Sequence, residues 1–436
     1  MPQQPVGERR EGGPPGRPVP RPPGRPVLRA ARTAGIALFL LASLNLFNFI
    51  DRYVLPGVQP LIQREFHIDF AQAGTLTSAF FFTYMLIAPL TGWLGDRFPR
   101  KPLIIAGALL WSAATLSTAL VHSYTTLLIR HAIVGIGEAT FSIYAPAMLA
   151  DFYPEEERNR VLTIFYFTIP VGGALGYILG GALGQSYGWR APFYVAAAPG
   201  VLIALCFWLF VREPQRGAAD TLAVTHSRSS FSGLFSNPAF WCATLGMAMW
   251  TFAVGGISAF LPTFFQNMGH FSLAHADLTT GEITAVDGLF ATIAGGWIAQ
   301  LWLRRNHRAL YYVSAWSALL AIPFGVLVFF GPLRWMVPAA WLAEFCLFLN
   351  TGPLNTAIVN SVSAPIRATA ISVNLFVIHL LGDFPSPHLI GWVGDRHGLS
   401  AGLGMTLISL ALSGTILFLG ARFAPRLPDL ENNPSS

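Results

Sequence analysis

Nine ionisable side chains fall inside apolar runs of this chain: Asp51, Arg52, Arg130, His131 and Glu138 in its first third, Asp287, Glu344, His379 and Asp383 beyond residue 280. Charge within a membrane span is costly, so each is a candidate for proton or substrate handling. Depth can be counted at 1.5 Å per residue. Asp51 stands roughly 27 Å from the start of its span, level with Arg130 and His131, and Glu138 lies nearer mid-membrane. Seven residues make almost two helical turns, so His131 and Glu138 share a face, with Arg130 about 80° away and its long stem within reach. A carboxylate beside a base stays charged, whereas losing that base or its water favours protonation. Such a network can couple proton binding to substrate binding. It can equally be a static ion pair that fixes the first and fourth spans. In the second group His379 and Asp383 are four residues apart on one helical face. Asp287 and Glu344 fall at similar depth. A substrate or gating role there competes with local hydrogen bonding in a span interrupted by Pro385 and Pro387.

The elements that must hold these residues are membrane helices. Of 436 residues, 53% are hydrophobic and 11% charged, against about 25% charge in soluble domains. Mean hydropathy is +0.52. The apolar runs predict twelve spans, near 33–62, 71–96, 102–121, 124–150, 158–186, 190–211, 238–266, 277–303, 308–331, 334–362, 366–394 and 401–422. The fold class expected is all-α, with two six-helix bundles at 33–211 and 238–424. They are joined by a linker at 212–237 and flanked by a disordered Pro/Arg-rich tail at 1–32 and a short tail at 425–436. Basic residues crowd the tails and alternate loops, while the other loops hold only Arg64, Arg190, Arg334 and Arg396. This places both termini in the cytoplasm. Cys206, Cys242 and Cys346 lie far apart within spans and read as packing residues.

The chain also repeats itself. Gly92-Trp93-Leu94-Gly95-Asp96-Arg97-Phe98-Pro99-Arg100-Lys101 aligns without gaps on Gly296-Trp297-Ile298-Ala299-Gln300-Leu301-Trp302-Leu303-Arg304-Arg305, with Gln300 in place of the acid. Gly181, Gly184 and Gly188 recur as Gly391, Gly394 and Gly398. Internal repeats flanking a central site are a transporter signature.

The stretch Gly92, Gly95, Asp96, Arg97, Arg100 and Lys101 resembles the loop after the second helix of the major facilitator superfamily, where it implies a gating role. Further motifs narrow the likeness. Phe49-Ile50-Asp51-Arg52-Tyr53, Gly135-Ile136-Gly137-Glu138-Ala139, Ile164 through Gly172, Val211-Arg212-Glu213-Pro214, Arg367 through Ala370 and His379 through Pro387 together resemble the Spinster family, in a bacterial member. The resemblance implies a carrier for lysophospholipids or sphingosine-1-phosphate-like lipids working by alternating access, with protons as partners. The family's arginine seven residues before the fourth-span glutamate is here His131, with Arg130 beside it.

The expectation is therefore a monomeric multi-pass protein of the cell (inner) membrane, surrounded by lipid and moving a lipid or lysolipid. No enzyme activity, cofactor or metal is expected. No nucleophile elbow, metalloprotease motif or phosphate loop occurs, and the arginines follow topology rather than forming a nucleic-acid face. The alternatives are an organic anion or drug carrier, and, from another class, a membrane-embedded lipid hydrolase or a non-transporting receptor. Phe81, Tyr84, Tyr166 and Phe376 are candidates to line an acyl cavity.

Overall fold

The computed structural model describes residues 25–215, 232–362 and 366–425. Twelve helices are long and apolar enough to span a bilayer: α1 Thr33–Phe66, α2 Phe70–Gly95, α3 Arg100–Thr118, α4 Tyr124–Phe152, α5 Arg160–Tyr187, α6 Ala191–Phe210, α7 Pro238–Gly269, α8 Leu273–Leu303, α9 Ala309–Phe330, α10 Leu333–Asn360, α11 Thr369–His397 and α12 Leu399–Phe423. All twelve coincide with the predicted spans to within a few residues. The helical backbone of α1 begins earlier, at Arg25. Residues 25–32, read from sequence as part of a disordered tail, thus continue the helix, since Leu28 through Arg32 are good helix formers. Residues 1–24, 216–231 of the linker and 426–436 of the C-terminal tail lie outside the described residues.

Short loops make neighbours antiparallel, and polar side chains cap the exposed helix starts. Asp69 and Gln72 form a reciprocal capping box at α2, and Ser123, Asn237 and Ser272 cap α4, α7 and α8. The helices gather into two bundles, each with its own cores. In α1–α6 one core centres on Trp111, Phe141 and Phe165, another on Val54, Trp189 and Phe193. In α7–α12 the corresponding clusters centre on Phe240 and Tyr311, and on Phe260 and Phe264. The repeat seen in sequence is structural. Gly188 and Gly398 end α5 and α11 at φ 84° and 86°, each donating its N–H to the carbonyl of the glycine four residues back. Only glycine adopts that region freely.

The start of α1 and the end of α12 lie on one side, here the terminal face; the other is the far face. Hydrogen bonds between the bundles cluster toward the far face. Asp395 at the end of α11 accepts from the Phe70 and Ala71 N–H groups at the start of α2, at 2.8 and 2.9 Å. Thr75 meets His388 at 2.8 Å. Gln185 of α5 accepts from the Ala274 N–H of α8 at 3.0 Å, and Tyr177 of α5 donates to the Ser258 carbonyl of α7 at 2.6 Å. Backbones touch there: a Cβ on Gly74 would fall 2.1 Å from the Pro387 carbonyl oxygen. The far face is sealed.

Candidate functional site

Glycines set the position of α4. A Cβ at Gly135 would lie 2.4 Å from the Phe80 carbonyl oxygen of α2, and one at Gly137 would lie 2.8 Å from the Gly107 carbonyl oxygen of α3. Helix α4 is thereby wedged between α2 and α3, and the next residue, Glu138, is fully buried. The partner of Glu138 comes from α1. Arg52 donates to Glu138 Oε2 from Nε at 3.0 Å and from Nη2 at 2.5 Å. A charge-assisted pair of this kind is stronger than a neutral hydrogen bond. Aromatic rings surround the guanidinium, with its carbon 4.7 Å from the Phe49 centroid, 4.8 Å from Phe80 and 5.7 Å from Tyr84. Glu138 Oε1 and the amide of the fully buried Asn48, one turn before Arg52, lie close to one another and find no other partner. Polar atoms so weakly satisfied mark a place where water, a proton or a ligand group completes the bonding.

Tyr84 links this cluster to the second bundle. Its ring lies 5.4 Å from that of His379, and Phe81 stacks on the same imidazole at 5.8 Å. His379 Nδ1 is 2.7 Å from Asp383 Oδ2. These two residues bound a single π turn, His379–Asp383, in which the Phe384 N–H reaches the His379 carbonyl. Widened turns of this type often occur at functional positions. The local hydrogen bonding that competes with a substrate or gating role for these residues is present, as is the interruption of this span. A polar and aromatic path runs from Glu138 and Arg52 through Tyr84 to His379 and Asp383, across the junction of the bundles.

Residues 41–387 match the Major Facilitator Superfamily. The chain is 32% identical over 388 residues to protein spinster homolog 1 of Homo sapiens, an alignment covering 83% of this chain and 73% of that protein. It is 32% identical over 390 residues to the sphingosine-1-phosphate transporter SPNS2 of Danio rerio, covering 84% and 77%. The fold superposes with a TM-score of 0.81 on the crystal structure of a bacterial homolog to the human lysosomal transporter Spinster, inward-facing and unoccupied, at 25% identity over 91% of this chain and 99% of that one. The chain belongs to the spinster family of the Major Facilitator Superfamily. It is a multi-pass integral membrane protein with the transporter architecture of that superfamily.

The remaining expected residues are placed differently. Arg130, expected within reach of Glu138, is exposed, with Glu138 itself fully buried. The base at Glu138 is Arg52, which sequence spacing along one helix could not reveal. His131 is buried and packs on Phe80 at 5.6 Å, behind Arg52. Asp51 is buried too, but its partner is the Thr115 hydroxyl of α3, which donates to Oδ2, and no base. Asp287 and Glu344 are buried together between α8 and α10, each with an unpartnered oxygen. Glu344 also lines a small cavity with Tyr53 and Tyr177 from the first bundle. Tyr166 and Phe376 are exposed.

Basic residues of the gating stretch tie it to α4, α6 and the start of the linker. Arg100 pairs with Asp151, and its N–H reaches Glu213 at 2.5 Å. Lys101 donates to the Trp208 carbonyl at 2.7 Å, and the Arg97 guanidinium stacks 4.0 Å above Trp93. The side chain of Asp96 lies outside the described residues. Gly95 permits close packing, since a Cβ there would fall 2.3 Å from the Tyr144 ring, whereas Gly92 meets nothing within 4 Å. Of the two glycines of this stretch, Gly95 is the one packed against a neighbouring helix in this state. Sequence reasoning passed over Asn48 and Thr115. The signal for both was a polar residue inside an apolar run.

Proposed function

We propose that this protein is a secondary active carrier that moves an amphipathic lipid, a lysophospholipid or sphingolipid-like molecule, by alternating access coupled to protons. The reading is carried by the Arg52–Glu138 pair, buried among aromatic rings at the junction of two bundles. A proton arriving at Oε1 of Glu138, which faces only the Asn48 amide, weakens its hold on Arg52. The guanidinium, kept in place by Phe49, Phe80 and Tyr84, is then free to take the anionic headgroup of the lipid. The apolar and aromatic surfaces around it suit the acyl chain. Asp51, with its neutral hydroxyl partner, offers a second place for a proton. The sealed far face and the basic terminal face support a carrier open toward the cytoplasm, with both termini there, acting as a monomer in the cell membrane. The sphingosine-1-phosphate transport named for SPNS2 supports the lipid class.

The test is a split between two assays in liposomes. Glu138→Gln keeps size and hydrogen bonding but removes a protonation site. Accumulation of labelled lysolipid driven by a pH gradient should be abolished, while exchange of labelled for unlabelled lysolipid persists. Accumulation at the wild-type rate would overturn the coupling role. Loss of both activities together with lysolipid affinity would assign Glu138 to the substrate instead.

A further inference from the structure

Asp277 stands one turn inside the far end of α8, and neither the Arg52–Glu138 pair nor the substrate path uses it. It is fully buried, and both its carboxylate oxygens lack hydrogen-bond partners. It sits at the seal between the bundles. A Cβ on Gly57 of α1 would lie 3.1 Å from Asp277 Oδ2, and one on Gly181 of α5 would lie 2.6 Å from the same oxygen. The opposing wall is therefore glycine backbone from the other bundle, and it offers no donor side chain.

Packing does not require an acid here. The repeat that sets Gly92 on Gly296 sets Ala73 on Asp277, and Ala73 is buried among apolar side chains of the first bundle. At this repeated position one bundle carries a methyl group and the other a carboxyl group. No charge compensates it. From α5 the titratable neighbour is the phenol of Tyr177, and from α1 it is that of Tyr53, one turn from Gly57. Glu65, two turns further along α1, is already paired with Arg190. On α8 itself His275 and Glu282 are exposed, and from α7 no charged side chain is directed at the slot. An ionised carboxylate sealed in without a partner costs several kcal/mol. A metal cation would need several oxygen ligands, and no cluster of three or more His, Cys, Asp or Glu suited to a metal exists among the described residues.

We infer that Asp277 is a further proton-binding site, a latch in which the far-face seal closes on the carboxylic acid and opening hydrates the group and releases its proton. The sign follows directly. Acid favours the sealed form, and rising pH favours opening at the far face. One linked proton changes the ratio of open to sealed molecules by at most about tenfold per pH unit.

The inference rests on alternating access, and the experiment separates the two. Spin labels at Tyr187→Cys on α5 and Leu278→Cys on α8, both exposed, report the width of the seam once Cys206, Cys242 and Cys346 are replaced. In proteoliposomes the logarithm of the open-to-sealed ratio should rise with pH, and Asp277→Asn should lose about one proton of that slope. Asp277→Ala, which copies Ala73, should behave alike and carries the test if the amide variant folds poorly. Equal slopes in wild type and variants would overturn the latch while leaving alternating access standing. A seam that never changes width in any of these proteins would overturn both.

Discussion

Arg52 and Glu138 show how far one side chain's role depends on a residue many turns away. Breaking a buried ion pair leaves an uncompensated charge and costs about 3–5 kcal/mol. Arg52→Ala should therefore lower the melting temperature of the detergent-solubilised protein sharply. Adding Glu138→Gln should restore much of the loss, because the orphaned charge goes with it. Arg130→Ala, on the exposed side of α4, should melt as wild type does. A double variant no more stable than Arg52→Ala alone would mean that the two residues act independently. That Glu138 would be paired was legible from its depth in an apolar run, since a lone charge there is too costly. The identity of the partner was not. A helical wheel places Arg130 some 80° from Glu138, but it does not tell which side of that face meets protein. Arg52 belongs to another helix, and its reach became visible only when α1 and α4 were packed. The partner of Asp51 was hidden for a related reason: the Thr115 hydroxyl carries no charge to mark it in a sequence.

Among the elements, the end of α2 holds two glycines with opposite duties. Gly95 packs on Tyr144, and Gly92, like its repeat partner Gly296, has nothing within 4 Å of the place a Cβ would take. Both open positions lie toward the terminal face. When the bundles rock, that face must close, and smooth surfaces there allow helices to meet. Gly95→Ala should strain the first bundle by about 1–3 kcal/mol, the usual cost of overpacking, and lower its melting temperature. Gly92→Leu should leave melting unchanged yet stop lysolipid exchange, holding the far face sealed. Transport at the wild-type rate by Gly92→Leu would show that this position never becomes a contact. The glycines were legible as part of a gating motif, but their separate duties were not, because a motif does not record which conformation uses it. The π turn His379–Asp383 was legible only as an interruption, from Pro385 and Pro387. Its extra width is fixed by packing of Gly382 against α7, where a Cβ would lie 2.9 Å from the Ala248 carbonyl oxygen.

At the scale of the molecule, the two bundles close the far face with matched contacts of unequal strength. The constant offset that pairs Gly181 with Gly391 pairs Gln185 with Asp395. Each reaches the start of a helix in the other bundle: Gln185 the Ala274 N–H of α8, Asp395 the Phe70 and Ala71 N–H groups of α2. Span number, bundle division and repeat were all legible in the sequence, because hydropathy and spacing dictate them once lipid forbids unpaired backbone. Which repeated residues would clasp, and that the clasp lies between bundles, was not legible, since that depends on the rotation of one bundle against the other. The difference in chemistry gives the prediction. A carboxylate at a helix start gains from the free N–H groups and the helix dipole, and charge-assisted bonds are about twice as strong as neutral ones. Asp395→Asn should therefore open the α2–α11 seam several-fold more than Gln185→Ala opens the α5–α8 seam. The contact is exposed, so the effect should shrink as salt is raised above about 0.15 M. Cysteine labelling by a membrane-impermeant reagent at positions facing each seam reads both. Equal labelling gains in the two variants, or gains indifferent to salt, would mean that the charge of Asp395 contributes nothing to the seal and that the two bundles close on shape alone.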